Sequence, residues 1–278
     1  MAAAIVKGCS GENVDAYAIS SSLANPNYVI TFIPANFTIT KKDASVTPAV
    51  NSKTYGDGEP TFVGTLSGFV DSDNVTATYG RVGGETVADS PYIISATLSP
   101  AAVLGNYNIT YNTANFTITA KPLTITADAG QTKIYGVTPD PTLTYTTSGL
   151  VNGDTAAVLT GSLARAVGED VGTHAINRGT LANSNYAITF TPANLTIGAK
   201  PITVTAAAKS KTYGEKDPAL KASTVGLVEG DTLVGDLSRD PGDNVGTFDI
   251  TQGTVTDALN PNYKINFTKG TFTINKLA

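Results

Sequence analysis

Leu181-Ala-Asn-Ser-Asn185-Tyr186-Ala-Ile-Thr-Phe190-Thr-Pro192-Ala-Asn194-Leu195-Thr-Ile197 has three further copies in the chain, at residues 23–39, 104–118 and 259–274. The Asn-Tyr step falls at Asn27-Tyr28, Asn106-Tyr107, Asn185-Tyr186 and Asn262-Tyr263, so the tyrosines are 79, 79 and 77 residues apart. In every copy a second apolar segment begins nine residues after the tyrosine, at Phe37, Phe116, Leu195 and Phe272. Tyr186, Ile188 and Phe190 alternate with Ala187 and Thr189, a period of two that turns one apolar face to a core and one small or polar face to water. Pro192-Ala-Asn194 interrupts the run with turn formers before Leu195 and Ile197 resume it, and the pattern predicts a β-hairpin.

Working outward, the 278 residues divide into a partial repeat at 1–41 and full repeats at 42–120, 121–199 and 200–278. Residues 1–41 carry only the second half of a repeat. Gly11-Glu-Asn-Val14-Asp-Ala-Tyr17 aligns with Gly168-Glu-Asp-Val171-Gly-Thr-His174, and the tyrosine stretch follows. Each full repeat reads as six or seven short strands with turn signals about every 8–12 residues, the pattern of a small immunoglobulin-like β-sandwich. The abundance of Thr, with 27 Gly and 14 Pro, agrees with an all-β chain. Successive repeats meet in Thr119-Ala-Lys121-Pro122 and Gly198-Ala-Lys200-Pro201, joints too short and proline-stiffened for a flexible linker, so the expected shape is an elongated rod.

A net charge of −5 argues against a phosphate-neutralising nucleic-acid partner. The lone Cys9 allows no internal disulfide, and with the lone His174 it leaves a zinc site short of ligands. No run of 18 apolar residues is present, so no direct membrane insertion through a helix is expected, and the first residues do not resemble a signal peptide.

Three further elements recur. Lys53-Thr-Tyr55-Gly56, Lys133-Ile-Tyr135-Gly136 and Lys211-Thr-Tyr213-Gly214 follow the first strand of each full repeat. Gly-Leu-Val-x-Gly-Asp occurs at residues 149–154 and 226–231, and a Val-Gly-Thr step follows at Val171 and Val245. Together with the Asn-Tyr stretch these resemble the MBG domain of the YGX type over essentially the whole chain. That resemblance implies tandem copies in very large, secreted, repetitive bacterial surface proteins, many of them adhesin-like, and so an extracellular stalk or fibre at the cell surface. The first repeat departs from the pattern, with Gly68-Phe-Val-Asp-Ser-Asp73 and Ser90-Pro-Tyr92 at the corresponding places.

Chemistry-bearing residues read as structural when compared across repeats. His174 has Tyr17, Tyr92 and Phe248 as equivalents, so the position asks for a ring rather than a base. Cys9 aligns with Ala166 and Asp240. Tyr55, Tyr135 and Tyr213 could stack on a partner, but a glycine after each, at Gly56, Gly136 and Gly214, points to a shared corner. Asn106, Tyr107, Asn185, Tyr186, Asn262 and Tyr263 form the other recurring structural motif. Asp71, Asp73, Asp154 and Asp231 are weak calcium candidates, lacking the spaced acidic series of a dedicated loop. A cross-link between Lys133 and Asn194 lacks an identifiable acidic helper, and Thr271 replaces the asparagine in the third repeat. No Gly-rich phosphate loop, paired-His motif or Gly-x-Ser-x-Gly elbow occurs, and the expected chain is no enzyme and has no cofactor. Its expected partners are neighbouring repeats of the same chain and identical subunits of a filament completed through the half repeat.

Overall fold

The computed structural model describes residues 13–277. They form two compact units, one of residues 13–121 with 184–187 and one of residues 122–183 with 188–277. The third repeat, wholly in the second unit, serves as the type. Its seven strands are Lys200–Ala206, Lys209–Thr212, Ala222–Val225, Ser238–Arg239, Gly246–Thr251, Tyr263–Thr268 and Gly270–Asn275.

These strands sort into two sheets. One has the order third, first, sixth, and the other second, seventh, fifth, fourth. The first strand runs parallel to the sixth, with Ile202 opposite Ile265, and the second runs parallel to the seventh, with Lys211 opposite Ile274. The remaining pairs in both sheets are antiparallel. The first and second repeats show the same orders, strand for strand. The layering is immunoglobulin-like: a three-stranded sheet lies face to face with a four-stranded one, as a tandem series of small sandwiches.

Alternation explains the burial. Ile202 and Val204 of the first strand pack with Tyr263 and Ile265 of the sixth and with Val255. Across the sandwich, Ile250, Phe272 and Ile274 form the second half of the core, and Leu237 and Phe267 pack against both halves. The intervening Thr203, Thr205 and Lys264 are exposed.

One expectation is corrected. The strands Tyr186–Thr191 and Ala193–Gly198 are not a hairpin, because they lie in different sheets. Only Pro192 separates them, and there the chain crosses from the three-stranded sheet to the four-stranded one. Period-two alternation states which face of a strand is buried and leaves its neighbour undetermined. Both strands do turn their apolar residues inward, with Tyr186, Leu195 and Ile197 buried.

The half repeat keeps one pairing. Ala16–Ile19 runs antiparallel to Ala35–Thr38 with Tyr17 opposite Phe37. This is the register of Tyr92 on Phe116, His174 on Leu195 and Phe248 on Phe272 in the full repeats. Residues 28–33, which correspond to the sixth strand, form no strand beyond a bridge at Tyr28. In a full repeat that strand pairs with the first, which has no counterpart in the sequence of the half repeat.

Candidate functional site

Two side-chain arrangements recur, and neither resembles a catalytic centre. The first is an ionic clamp inside each full repeat. The parallel register of the second and seventh strands places Lys133 level with Ile197, on the inward face. Its side chain is only 2 % exposed. An ammonium so buried needs charged partners. Lys133 Nζ meets Asp140 and, at 2.6 Å, Glu169 Oε2. Arg165 lies on the same two carboxylates, with Nε 2.6 Å from Asp140 Oδ2 and an end nitrogen on Glu169. Its remaining nitrogen donates to the carbonyls of Ala166, at 3.0 Å, and Gly168. Two cations and two anions thus close a ring between the first half of the repeat, which supplies Lys133 and Asp140, and the second half, which supplies Arg165 and Glu169.

The ring recurs as Lys53, Glu59, Arg81 and Glu85 and as Lys211, Asp217, Arg239 and Asp243. In the first and third repeats the guanidinium also rests on core rings, 4.7 Å from the centre of Phe116 and 4.9 Å from that of Phe272. Hydrogen bonds from Arg165 and then Lys133 hold the Asp140 carboxyl down at about 2, and Asp217 and Glu59 fall to about 2 for the same reason. Burial pulls the Lys133 ammonium down, but Asp140 and Glu169 together outweigh it and leave it raised. Asp140 and Glu169 are the acidic partners of Lys133 that sequence reading failed to identify. Asn194 lies opposite Ala175 in the four-stranded sheet.

The second arrangement joins repeats. Tyr135 and Gly136 form a turn, closed by the Val137 N–H donating to the Ile134 carbonyl at 3.1 Å, with Gly136 at a φ of 74°. This turn also reaches beyond its own repeat. The Tyr135 hydroxyl donates to Asp231 Oδ2 of the third repeat at 2.8 Å, and the Tyr263 hydroxyl donates to the same carboxylate. The two rings meet edge to face at 5.4 Å. The Val228 N–H donates to the Tyr263 oxygen at 3.1 Å. A Cβ on Gly136 would lie 2.3 Å from Val228 Cγ2, so contact as well as turn geometry demands glycine. Alongside, the Val171 N–H donates to Asn262 Oδ1 at 2.9 Å, and Asn262 Nδ2 donates to Asp170 at 2.9 Å. Hydrogen bonds from Tyr263 and Tyr135 lower Asp231. Burial and then Asp231 push Tyr263 up to about 12, and Asp231 raises Tyr135.

Related contacts appear in the first unit. Tyr55 and Tyr186 meet edge to face at 5.4 Å, and the Val87 N–H donates to Asn185 at 2.9 Å. The Val14 N–H donates to Asn106 at 2.9 Å, and Tyr107 donates to Asp73. Of the calcium candidates, Asp73 and Asp231 are thus hydrogen-bonded to tyrosines, Asp71 opens a short 3-10 turn, and Asp154 follows the turn at Val151. Among the described residues no group of three His, Cys, Asp or Glu side chains is placed to hold a metal ion. The His174 ring nitrogen contacts the Asp170 carbonyl at 2.9 Å, as the Tyr17 hydroxyl contacts that of Asn13 at 2.8 Å. Cys9 lies outside the described residues.

Sequence reading missed the clamp. The available signal was a charge pattern: in every full repeat an arginine stands four residues before an acid, and the lysine of Lys-x-Tyr-Gly stands six or seven residues before another.

None of the curated proteins matches this chain. Among solved structures, the I-band fragment I67-I69 from titin aligns with 86 % of this chain and 97 % of its own at 10 % identity and a TM-score of 0.27. An E-to-A variant of the same three titin domains gives the same values. The family model of the MBG domain (YGX type) matches residues 44–117, 123–196 and 202–273, and the chain belongs to that family.

Proposed function

We propose that this chain is a non-catalytic spacer within a large extracellular bacterial surface protein, an adhesin-like fibre in which repeated sandwiches hold a distal part away from the cell. The observation that carries this reading is the reuse of one clamp and one strand order in all three full repeats. Recurrence of the same buried charges at equivalent places supports a mechanical role, because a substrate site would single out one repeat. A groove of about 390 Å³ in the second repeat agrees: its charged walls, Asp140 and Arg165, are already paired with each other. Two experiments test the proposal. Small-angle scattering of the chain is expected to give an elongated profile, and a compact one contradicts it. Pulling a single chain by its ends is expected to give three equal unfolding events, each releasing about 25 nm of chain for about 79 residues. One cooperative event would count against separately closed repeats.

A second reading rests on the half repeat. Tyr28 is 74 % exposed and Phe37 54 %, and Ile33 and Val29 are also open to solvent. Separately, a cavity of about 400 Å³ is bounded by Val14, Val70, Asp73, Asn106 and Tyr107, where the second-unit joint seats a tyrosine. Strand pairing with another subunit would cover this face and make the chain part of a filament. Sedimentation equilibrium decides: association that rises with concentration and disappears on Phe37→Ser supports the filament, and a monomer at all concentrations removes it.

A further inference from the structure

The face by which the second repeat grips the third has a counterpart on the third repeat that nothing among the described residues covers. Tyr213 occupies the place of Tyr135: its N–H donates to the Asn275 carbonyl at 2.9 Å, as that of Tyr135 donates to Gly198 at 2.9 Å. Tyr213 is 50 % exposed. Gly214 repeats the left-handed turn at a φ of 87°, yet a Cβ there would meet no atom within 4 Å, where Gly136 is pressed against Val228. Asn244 and Val245 stand where Asp170 and Val171 hold Asn262, and both are exposed.

We propose that Tyr213, Gly214, Asn244 and Val245 form a docking surface for a further repeat of the same type joined in tandem. The partner's chemistry follows from the occupied joint. It presents an aspartate to accept the Tyr213 hydroxyl, a tyrosine to meet its ring edge to face, a valine methyl to sit over Gly214, and an asparagine to accept the Val245 N–H. Asn244 then accepts from that asparagine amide as Asp170 does. So few contacts need a tether that keeps the partner at high effective concentration, and the single residue Ala199 between strands supplies it at the occupied joint. Lys276 stands at the equivalent place. The inference rests on reading the chain as a repeat array, but it concerns coupling between repeats rather than the spacer role.

The test adds a second copy of residues 200–278 directly after Lys276 of the full chain. Tyr213→Phe removes one hydroxyl and leaves the packing, and Asn244→Ala removes the acceptor for the partner's asparagine amide at an exposed position. In the extended chain each is expected to lower the unfolding midpoint of the coupled repeats by about 4 °C or more. In the 278-residue chain Tyr213→Phe is expected to shift the midpoint by less than about 1 °C. Equal shifts in both chains, or none in either, overturn the proposal. So does a dimer of the 278-residue chain that Tyr213→Phe dissociates, since its occupant is a second copy rather than a tandem repeat. A compact scattering profile alongside Tyr213-dependent coupling would defeat the spacer reading and leave the joint standing.

Discussion

The half repeat and the third repeat share a sequence pattern and differ in what that pattern achieves. Tyr263 and Phe272 are buried, whereas their equivalents Tyr28 and Phe37 face solvent. Both segments keep the same antiparallel register, Tyr17 on Phe37 and Phe248 on Phe272. Local alternation therefore suffices to pair two strands, but burial needs the strands and the clamp residues that the first half of a repeat supplies. The first strand covers the sixth, the second covers the seventh, and a lysine with its nearby acid ties the halves together.

The largest expected effect sharpens this contrast. Phe272→Ala should cost about 3–5 kcal/mol of the third repeat's stability, as for a fully buried phenylalanine, while Phe37→Ala should change stability by no more than about 0.5 kcal/mol. Urea unfolding of the two variants measures both, and similar costs would erase the distinction. Cutting the clamp should push a full repeat part of the way towards the open state. Lys133→Met keeps the bulk and removes the buried ammonium. Its carboxylate partners are half-exposed and retain Arg165, so the expected loss is about 1–2 kcal/mol, below that of a fully buried pair.

Acid should act on the same clamps. Asp140 is held from 3.8 down to about 2 and Glu59 from 4.5 to about 2. A carboxyl whose folded pKa lies below its unfolded value stabilises the fold at pH above that unfolded value and loses the contribution as pH falls towards the folded one. Stability should thus decline between about pH 4.5 and 2, and in Lys133→Met the decline of the second repeat should be shallower. Titration of the urea midpoint checks this, and equal slopes would show that the clamp is not the source. The smallest effect separates one clamp from the others. Asp243 is a methylene shorter than Glu169 and stands 3.9 Å from Lys211 and 3.3 Å from Arg239, with its side chain 87 % exposed. Asp243→Glu should tighten the ring and add at most about 0.5 kcal/mol, visible as a small rise in the thermal midpoint.

The sequence made the period, the apolar faces and a content of six or seven strands legible, because each is carried by residues close together in the chain. Pro192 shows where legibility ended: a turn former between two alternating runs looks the same whether the chain folds back in one sheet or crosses to the other. The clamp was hidden for a different reason. Lys133, Asp140, Arg165 and Glu169 stand apart in the sequence, and only the parallel register with Ile197 turns Lys133 inward. Tyr135-Gly136 was readable as a turn, while its partners Asp231 and Tyr263 belong to another repeat, 96 and 128 residues further along the chain.

Residue-resolved amide hydrogen exchange on the intact chain compares the open and closed segments in one sample. Exchange in Tyr263–Thr268 should be slowed to the rate of global unfolding, and residues 28–33 should exchange at close to the unprotected rate. Equal protection of the two segments would contradict the claim that a repeat buries its second half only when its first half is present.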